Sequence, residues 1–504
     1  MKTAACALAS ALFLATPVWA TDVPAWQGFA ANSQHTAAAP AKGQPLDKVR
    51  WKLAIDTAPP QAPRGLRGAS AALAHYASPM ITAANTVLVP VKTSSKGDFE
   101  IDAVAGKSGK NIWTMKTDYL LPPYDWVPPL PAQLTPQNRL YIAGPGGTVY
   151  FRDTPDSASG TTGQFAFYGM AAYEKNEKTY NSNVMIDTPI TADAKGNIYF
   201  GFVVLASNPA GLESGIARID AKGKGTWISA KTAALDPQIT QVAMNCAPAL
   251  SPDGATLYIA VSNGSIGYLV GLNAKNLRPR YRMSKPLTDP QTGDDAEVWD
   301  DSSASPTVAP DGSVYYGVTA SSTNTDEHNC RGWLLAFSGD LATEKTPGSF
   351  GWDETVSIVP AKAVPRAGTK GAYYLMSKYN NYIDCGSGDG QNRIAILDPF
   401  ATQQDKYSDV TVMKEVETIL NPTKSPAGGV YEWCINSAVV DSKGKSVIAN
   451  AEDGNVYRWN LATNAFSQQL YLNAPTFEAY TSTLIGPDGT TYAINDATLY
   501  AVWK

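Results

Sequence analysis

The chain has 504 residues, with 40 Lys and Arg against 45 Asp and Glu, a net charge of -5 and only 17% charged residues. That balance excludes a nucleic-acid-binding surface of domain size, and the densest basic stretch, RPRYRMSK from Arg278 to Lys285, reads as the solvated face of an outer strand. Aromatic residues reach 10%, with 25 Tyr and 12 Trp, which favours a β-rich globule over a helical or disordered chain.

The chain opens with Lys2, an apolar run from Ala4 to Ala15 and small residues around Val18-Trp19-Ala20. This order of features predicts a secretory signal peptide over residues 1–20, its apolar run too short to cross a bilayer. No later run reaches transmembrane length, so the mature protein is expected in a bacterial periplasm or the medium, where disulfides are permitted. Cys6 falls in the leader, leaving Cys246, Cys330, Cys385 and Cys434. These form neither a C-x-x-C pair nor the CxxCH of a c-type haem, and His35, His75 and His328 lie far apart, which argues against a cysteine–histidine metal centre.

After an isolated segment from Lys48 to Asp56 (KVRWKLAID), the chain repeats itself. DAKGNIYFGF from Asp193, SPDGATLYIAV from Ser251, APDGSVYYGV from Ala309, DSKGKSVIANA from Asp441 and GPDGTTYAI from Gly486 each place a turn glycine before a β-branched and aromatic strand. Weaker copies begin at Thr82, Thr135 and Gly368. A spacing mostly in the fifties, with about four short strands per unit, is the mark of propeller blades. Seven units run through all their strands; the eighth stops in its third strand at Trp503-Lys504. Lys48–Asp56 is therefore predicted to supply its outer strand. The expected fold is all-β: one eight-bladed propeller over residues 48–504, with four-stranded antiparallel blades and the last closed by an N-terminal strand. Within the first unit, AVAGKSGKNIW runs from Ala103 to Trp113. Its Gly106-Lys107-Ser108 is no phosphate loop, because Ile101 stands where the first glycine should be. It reads as a turn between two strands that closes on a packing tryptophan.

That stretch resembles the tryptophan-docking repeat of pyrroloquinoline quinone (PQQ) dehydrogenase-like propellers, A-x-D-x-x-T-G-x-x-x-W. Ala103, Gly109 and Trp113 match, Ser108 replaces Thr and Ala105 replaces Asp. Worn copies fall at Gly271, Asn273, Asn276 and Tyr281 and at Asn460 and Thr463, so the resemblance covers nearly the whole mature chain. Trp26-Gln27-Gly28 with Ser33-Gln34-His35-Thr36 is similar to the lead-in of secreted members, which implies a strap over residues 21–47 folded across one face.

In a propeller the segments that enter the innermost strands gather around the axis. Here they carry Tyr76; Tyr124-Asp125-Trp126; Asp187; Asn245-Cys246; Trp299-Asp300-Asp301; Glu432 to Asn436; and Glu478 with Tyr480. Such a mixture of carboxylates, amides and aromatics suits a hard cation held through oxygen atoms, with an aromatic floor beneath a planar ligand, and equally a polar funnel lined with water. The resemblance implies a quinoprotein oxidoreductase that oxidises an alcohol or sugar with PQQ and calcium. Glu432 with Asn245 or Asn436 would hold the metal, Asp300 or Asp301 would act as general base, and Trp433 or Trp126 would stack on the quinone, with Asp187 beside the cofactor. Equally open is a non-catalytic monomeric propeller that presents its axial face to a small molecule or an envelope protein. Cys330 and Cys385 each precede the third strand of adjacent blades, the fifth and sixth, and are predicted to form a disulfide. Cys246 and Cys434 occupy corresponding entry segments three blades apart and are expected as buried thiols, the alternative being a bond across the axis.

Overall fold

The computed structural model describes residues 23–57, 77–94, 98–122, 130–299, 304–383, 385–475 and 482–504. The predicted signal peptide lies outside them. Eight antiparallel sheets follow one another along the chain: blade 1 over 80–117, blade 2 over 132–166, blade 3 over 184–229, blade 4 over 241–282, blade 5 over 307–348, blade 6 over 357–420, blade 7 over 439–471, and blade 8 over 484–503. The expected eight-bladed propeller is the observed fold.

Strand composition follows depth in the ring. Second strands such as Thr86–Lys92 and Thr256–Ser262 are buried throughout, because a neighbouring blade covers each face. The outer strands Lys48–Ala54 and Ala465–Tyr471 alternate exposed and half-buried residues, as period-two geometry requires of an edge. The repeated turn glycines Gly196, Gly254, Gly312 and Gly489 all have φ between 67° and 86°, a conformation that side chains with a Cβ adopt at a cost. Blades 3 and 4 depart from regularity. Their innermost strand is split into two short pieces, Val184–Ile186 with Thr191–Ala192 and Gln241–Val242 with Ala249–Leu250. The gaps contain Pro189 and Pro248, which have no N–H for the ladder, together with Asp187 and Asn245.

Ring closure is as the repeat count predicts. Lys48–Ala54 pairs with the final strand Thr498–Trp503, from Lys48 opposite Trp503 to Ala54 opposite Thr498. Tryptophans then dock one blade onto the next. Trp113, on the outer strand of blade 1, donates its indole N–H to the Pro155 carbonyl of blade 2 (2.8 Å), and Arg152 lies 4.2 Å from its ring. On the closing strand Trp51 does the same for blade 1, donating to the Gly106 carbonyl (2.7 Å). A Cβ on Gly109, whose φ is 65°, would lie 2.7 Å from the Trp51 ring. GKSG is thus a turn that receives a tryptophan from the neighbouring blade.

Residues 23–47 cross the ring at the end where first strands turn into second strands. Carbonyls of Trp26, Gln27, Ser33, Gln34, Thr36 and Ala37 accept the N–H groups of Ile81, Leu134, Leu250, Val308, Ile358 and Val440, each from the innermost strand of a different blade. Gln44 N–H then donates to Gly489 in blade 8. Trp26 is fully buried, and His35 Nδ1–H donates to the Pro306 carbonyl at 2.7 Å. Burial pushes the His35 imidazole pKa down to about 4, so it is a neutral packing element at ordinary pH. This segment satisfies inward-facing amides that would otherwise need water.

Candidate functional site at the entry-loop face

With the strap on one face, the segments entering the innermost strands occupy the opposite one. Consecutive blades join there through short polar links. Asn245 N–H donates to the Asp187 carbonyl (3.0 Å), and Ser305 Oγ donates to the Asn245 carbonyl (3.4 Å). Ser305 N–H donates to Thr355 Oγ1 (3.1 Å), Thr355 N–H to the Asn436 carbonyl (3.1 Å), and Ser437 and Ser482 share a hydrogen bond of 2.7 Å. Blades 3 to 8 are stitched in sequence by these contacts. Asp187, Asn245 and Asn436 therefore belong to one continuous rim, and all three are buried. Gly201 makes room for Asp187, since a Cβ there would lie 2.9 Å from its Oδ1. Asn245 takes φ of 60°, which asparagine tolerates, and neither atom of its amide has a partner among the described residues.

The densest chemistry lies where blades 6 and 7 meet. Around Glu432 neighbouring side chains part into two environments. Trp433 and Ile435 enter the apolar core between the blades, where Trp433 meets Tyr457 and Phe466 at 5.5 and 5.9 Å. Glu432 and Cys434 face the other way and converge with Glu452, from the exit of the second strand of blade 7. Ligand atoms of these three side chains all lie within 4.8 Å of one another. Burial raises the Cys434 thiol pKa well above its ordinary value, and the charges of Glu452 and Glu432 raise it further. Tyr382 is held protonated by burial and by the field of the same three groups.

A second buried group stands beside this cluster. Lys378 Nζ donates to the Asp353 carbonyl (2.6 Å), with the Asp353 carboxylate 3.9 Å away. Glu354 accepts the Lys378 N–H (3.1 Å), and burial drives its carboxyl pKa well upward against the pull of Lys378. The Asn380 amide brackets Trp433, donating to its carbonyl (3.2 Å) and accepting its N–H (3.3 Å). Behind Asn380, the fully buried Arg331 guanidinium donates to the Asn380 and Ser349 carbonyls and lies over Tyr407 and Tyr379 at 4.4 and 4.7 Å. Trp299 and Trp352 meet edge to face on the same side of the ring, ring centroids 6.2 Å apart, with Trp299 exposed.

Of the predicted site residues, Glu432 enters the Cys434–Glu452 cluster, Asp187, Asn245 and Asn436 lie on the rim, and Trp433 is a core residue between blades. Trp126, Asp300 and Asp301 lie outside the described residues. Cys330 and Cys385 form the predicted disulfide, while Cys246 and Cys434 are buried free thiols. Sequence reasoning missed Glu354, Lys378, Asn380, Tyr382 and Glu452. One signal was present: Lys378 is the one charged residue of the strand Tyr373–Tyr379, which is buried along its whole length. Glu452 lies outside the entry segments, in a connection between second and third strands that reaches the same face.

No family model matches the sequence, and no curated protein matches it. Solved structures do. The chain superposes on the quinohemoprotein alcohol dehydrogenase of Comamonas testosteroni with a TM-score of 0.58 at 11% identity, covering 94% of this chain and 80% of that one. A europium-containing methanol dehydrogenase gives 0.55 at 10% identity over 93% and 89%. A quinohemoprotein alcohol dehydrogenase from Pseudomonas putida HK5 gives 0.51 at 11% identity over 95% and 76%. The shared property at such identities is the architecture: this chain has the eight-bladed propeller fold of the quinoprotein alcohol and methanol dehydrogenases.

Proposed function

We propose that this protein is a secreted or periplasmic binding propeller that takes its ligand at the entry-loop face, with a cation held by Glu432, Cys434 and Glu452. The convergence of these three ligand atoms within 4.8 Å carries the proposal. Glu452 and Cys434 are buried and Glu432 is half-buried, and two carboxylates held this close to a thiol favour a cation among them. A thiolate with two carboxylates suits a borderline cation such as zinc better than calcium, and three protein ligands leave a coordination position for a bound molecule. The exposed Trp299 and its partner Trp352 add an apolar contact on the same face.

Thermal unfolding with zinc, manganese or calcium tests this. Zinc at about a hundred times its dissociation constant should stabilise the folded protein by about 2.7 kcal/mol. That gain should vanish in Cys434→Ser and Glu452→Gln variants. No shift with any cation, or equal shifts in wild type and variants, would overturn the proposal.

A quinoprotein dehydrogenase is the second assignment, favoured by a fold likeness that spans nearly the whole chain. PQQ, supplying a two-electron acceptor, would then sit with calcium on Glu432 and Asn245 or Asn436, with Asp300 or Asp301 as base. The described residues do not build that seat: Glu432 converges with a thiol, a poor calcium ligand, and the Trp433 ring is enclosed by Tyr457 and Phe466. No catalytic step is therefore derived through the quinone. Dye reduction with PQQ, calcium and a panel of alcohols and sugars, abolished by Glu432→Ala and Asp301→Ala, would establish the dehydrogenase instead.

A further inference from the structure

The connection between the second and third strands of blade 6, residues 380–392, is held from both sides. Toward blade 5 it is tied by the Cys330–Cys385 disulfide, by Ser387 Oγ donating to the Glu327 carboxylate, and by the Arg331 guanidinium donating to the Asn380 carbonyl. Gly386 allows the close approach: its φ is 54°, and a Cβ there would lie 2.6 Å from the Glu327 nitrogen. Toward blade 7, Val430 N–H donates to the Gly390 carbonyl (3.0 Å) and Asn392 donates to the Val430 carbonyl (2.9 Å). Asn380 brackets the Trp433 peptide and also donates to the Tyr382 hydroxyl (3.3 Å). Tyr382 in turn lies in the field of Glu432, Cys434 and Glu452. One covalent bond thus holds the blade 5 side of a connection whose other side meets blade 7, and Cys330 is half-buried.

We propose that the Cys330–Cys385 disulfide is a redox-sensitive latch that keeps the Cys434 cluster covered. A dithiol would open it by ordinary exchange: its thiolate attacks the Cys330 sulfur, Cys385 leaves as thiolate and takes a proton, and the second thiol resolves the mixed disulfide. Two electrons pass from the dithiol, which leaves oxidised, and both cysteines become thiols. Without the bond, the 380–392 connection opens locally while the rest of the ring stays folded. Cys434 then becomes accessible and the cluster loses its fixed geometry. Only the effect on cation binding rests on the function proposed above; the change in Cys434 accessibility does not.

The test is peptide-resolved alkylation of the full chain by iodoacetamide, before and after treatment with dithiothreitol, with Cys246 as internal reference. Reduction should accelerate Cys434 labelling about tenfold or more and leave Cys246 slow. A Cys330→Ser/Cys385→Ser double variant should show the fast rate without reductant. An unchanged Cys434 rate, equal acceleration of Cys246, or a bond that resists the dithiol would each overturn the latch. Zinc affinity measured on the same double variant should fall about tenfold if the cluster binds zinc. Fast Cys434 labelling in a protein that never binds zinc would keep the latch and refute the cation site alone.

Discussion

The fourth and seventh blades each place a buried free cysteine in the segment entering the innermost strand, in MNCAPAL and EWCINSA, but out of register with each other when Leu250 and Val440 are aligned, and the two thiols live in different chemistry. Cys246 is fully buried among apolar residues of the largest core cluster, where its sulfur accepts the Ala260 N–H at 3.4 Å. Burial is the main force on it and pushes its pKa up to about 12. Cys434 faces away from the neighbouring core and meets Glu432 and Glu452. The entry segment therefore sets depth, while register along it and the residues that arrive from adjacent connections decide what a cysteine there can do.

A charge introduced at each position should separate the two most strongly. Cys246→Asp buries a carboxylate with no cation near it and should cost about 3–5 kcal/mol in urea unfolding, whatever metal is added. Cys434→Asp places a third carboxylate in the cluster, and its cost should be recovered when zinc is supplied. Similar losses at both positions, neither restored by zinc, would erase the distinction.

Alkaline unfolding gives an intermediate effect. A thiol whose folded pKa is raised from about 9 to about 12 contributes stability that is complete below pH 9 and is lost as the pH rises toward 12. Each pH unit across that window removes about 1.4 kcal/mol, so about 2 kcal/mol should be gone by pH 10.5. A Cys246→Ala variant should lose that part of the alkaline slope, seen in urea midpoints at pH 8, 9.5 and 10.5. An unaltered slope would show that other groups carry it.

The smallest effect concerns zinc itself. Cys434 must release its proton to bind, and its raised pKa makes that release harder as the pH falls. Zinc affinity should weaken about tenfold for each unit of acidification below neutrality, with about one proton released per ion, measurable by calorimetry in two buffers of different ionisation enthalpy. Affinity independent of pH would remove the thiol from the coordination set.

Repeat spacing, turn glycines and a final unit one strand short were enough to specify the ring, because these are local properties: each turn needs its own positive φ and each blade its own four strands. The same logic identified Lys48–Asp56 as the missing strand and paired Cys330 with Cys385 in adjacent blades. Trp113 was legible as a docking residue, whereas Trp51 was not, since its receiving turn at Gly106–Gly109 belongs to a blade that follows it in the chain but encloses it only when the ring closes.

The site was different. Glu432 was a candidate from its entry segment, which also carries Cys434, but the third group, Glu452, came from a connection on the same face. Lys378, Asn380 and Tyr382 reach the cluster from another blade altogether. Convergence of this kind depends on the distance between side chains that are tens of residues apart, and no local propensity or spacing encodes it. Sequence alone determined that the chain makes a closed ring and where its loops must point; only the packed ring decided which of those loops carry groups close enough to act together.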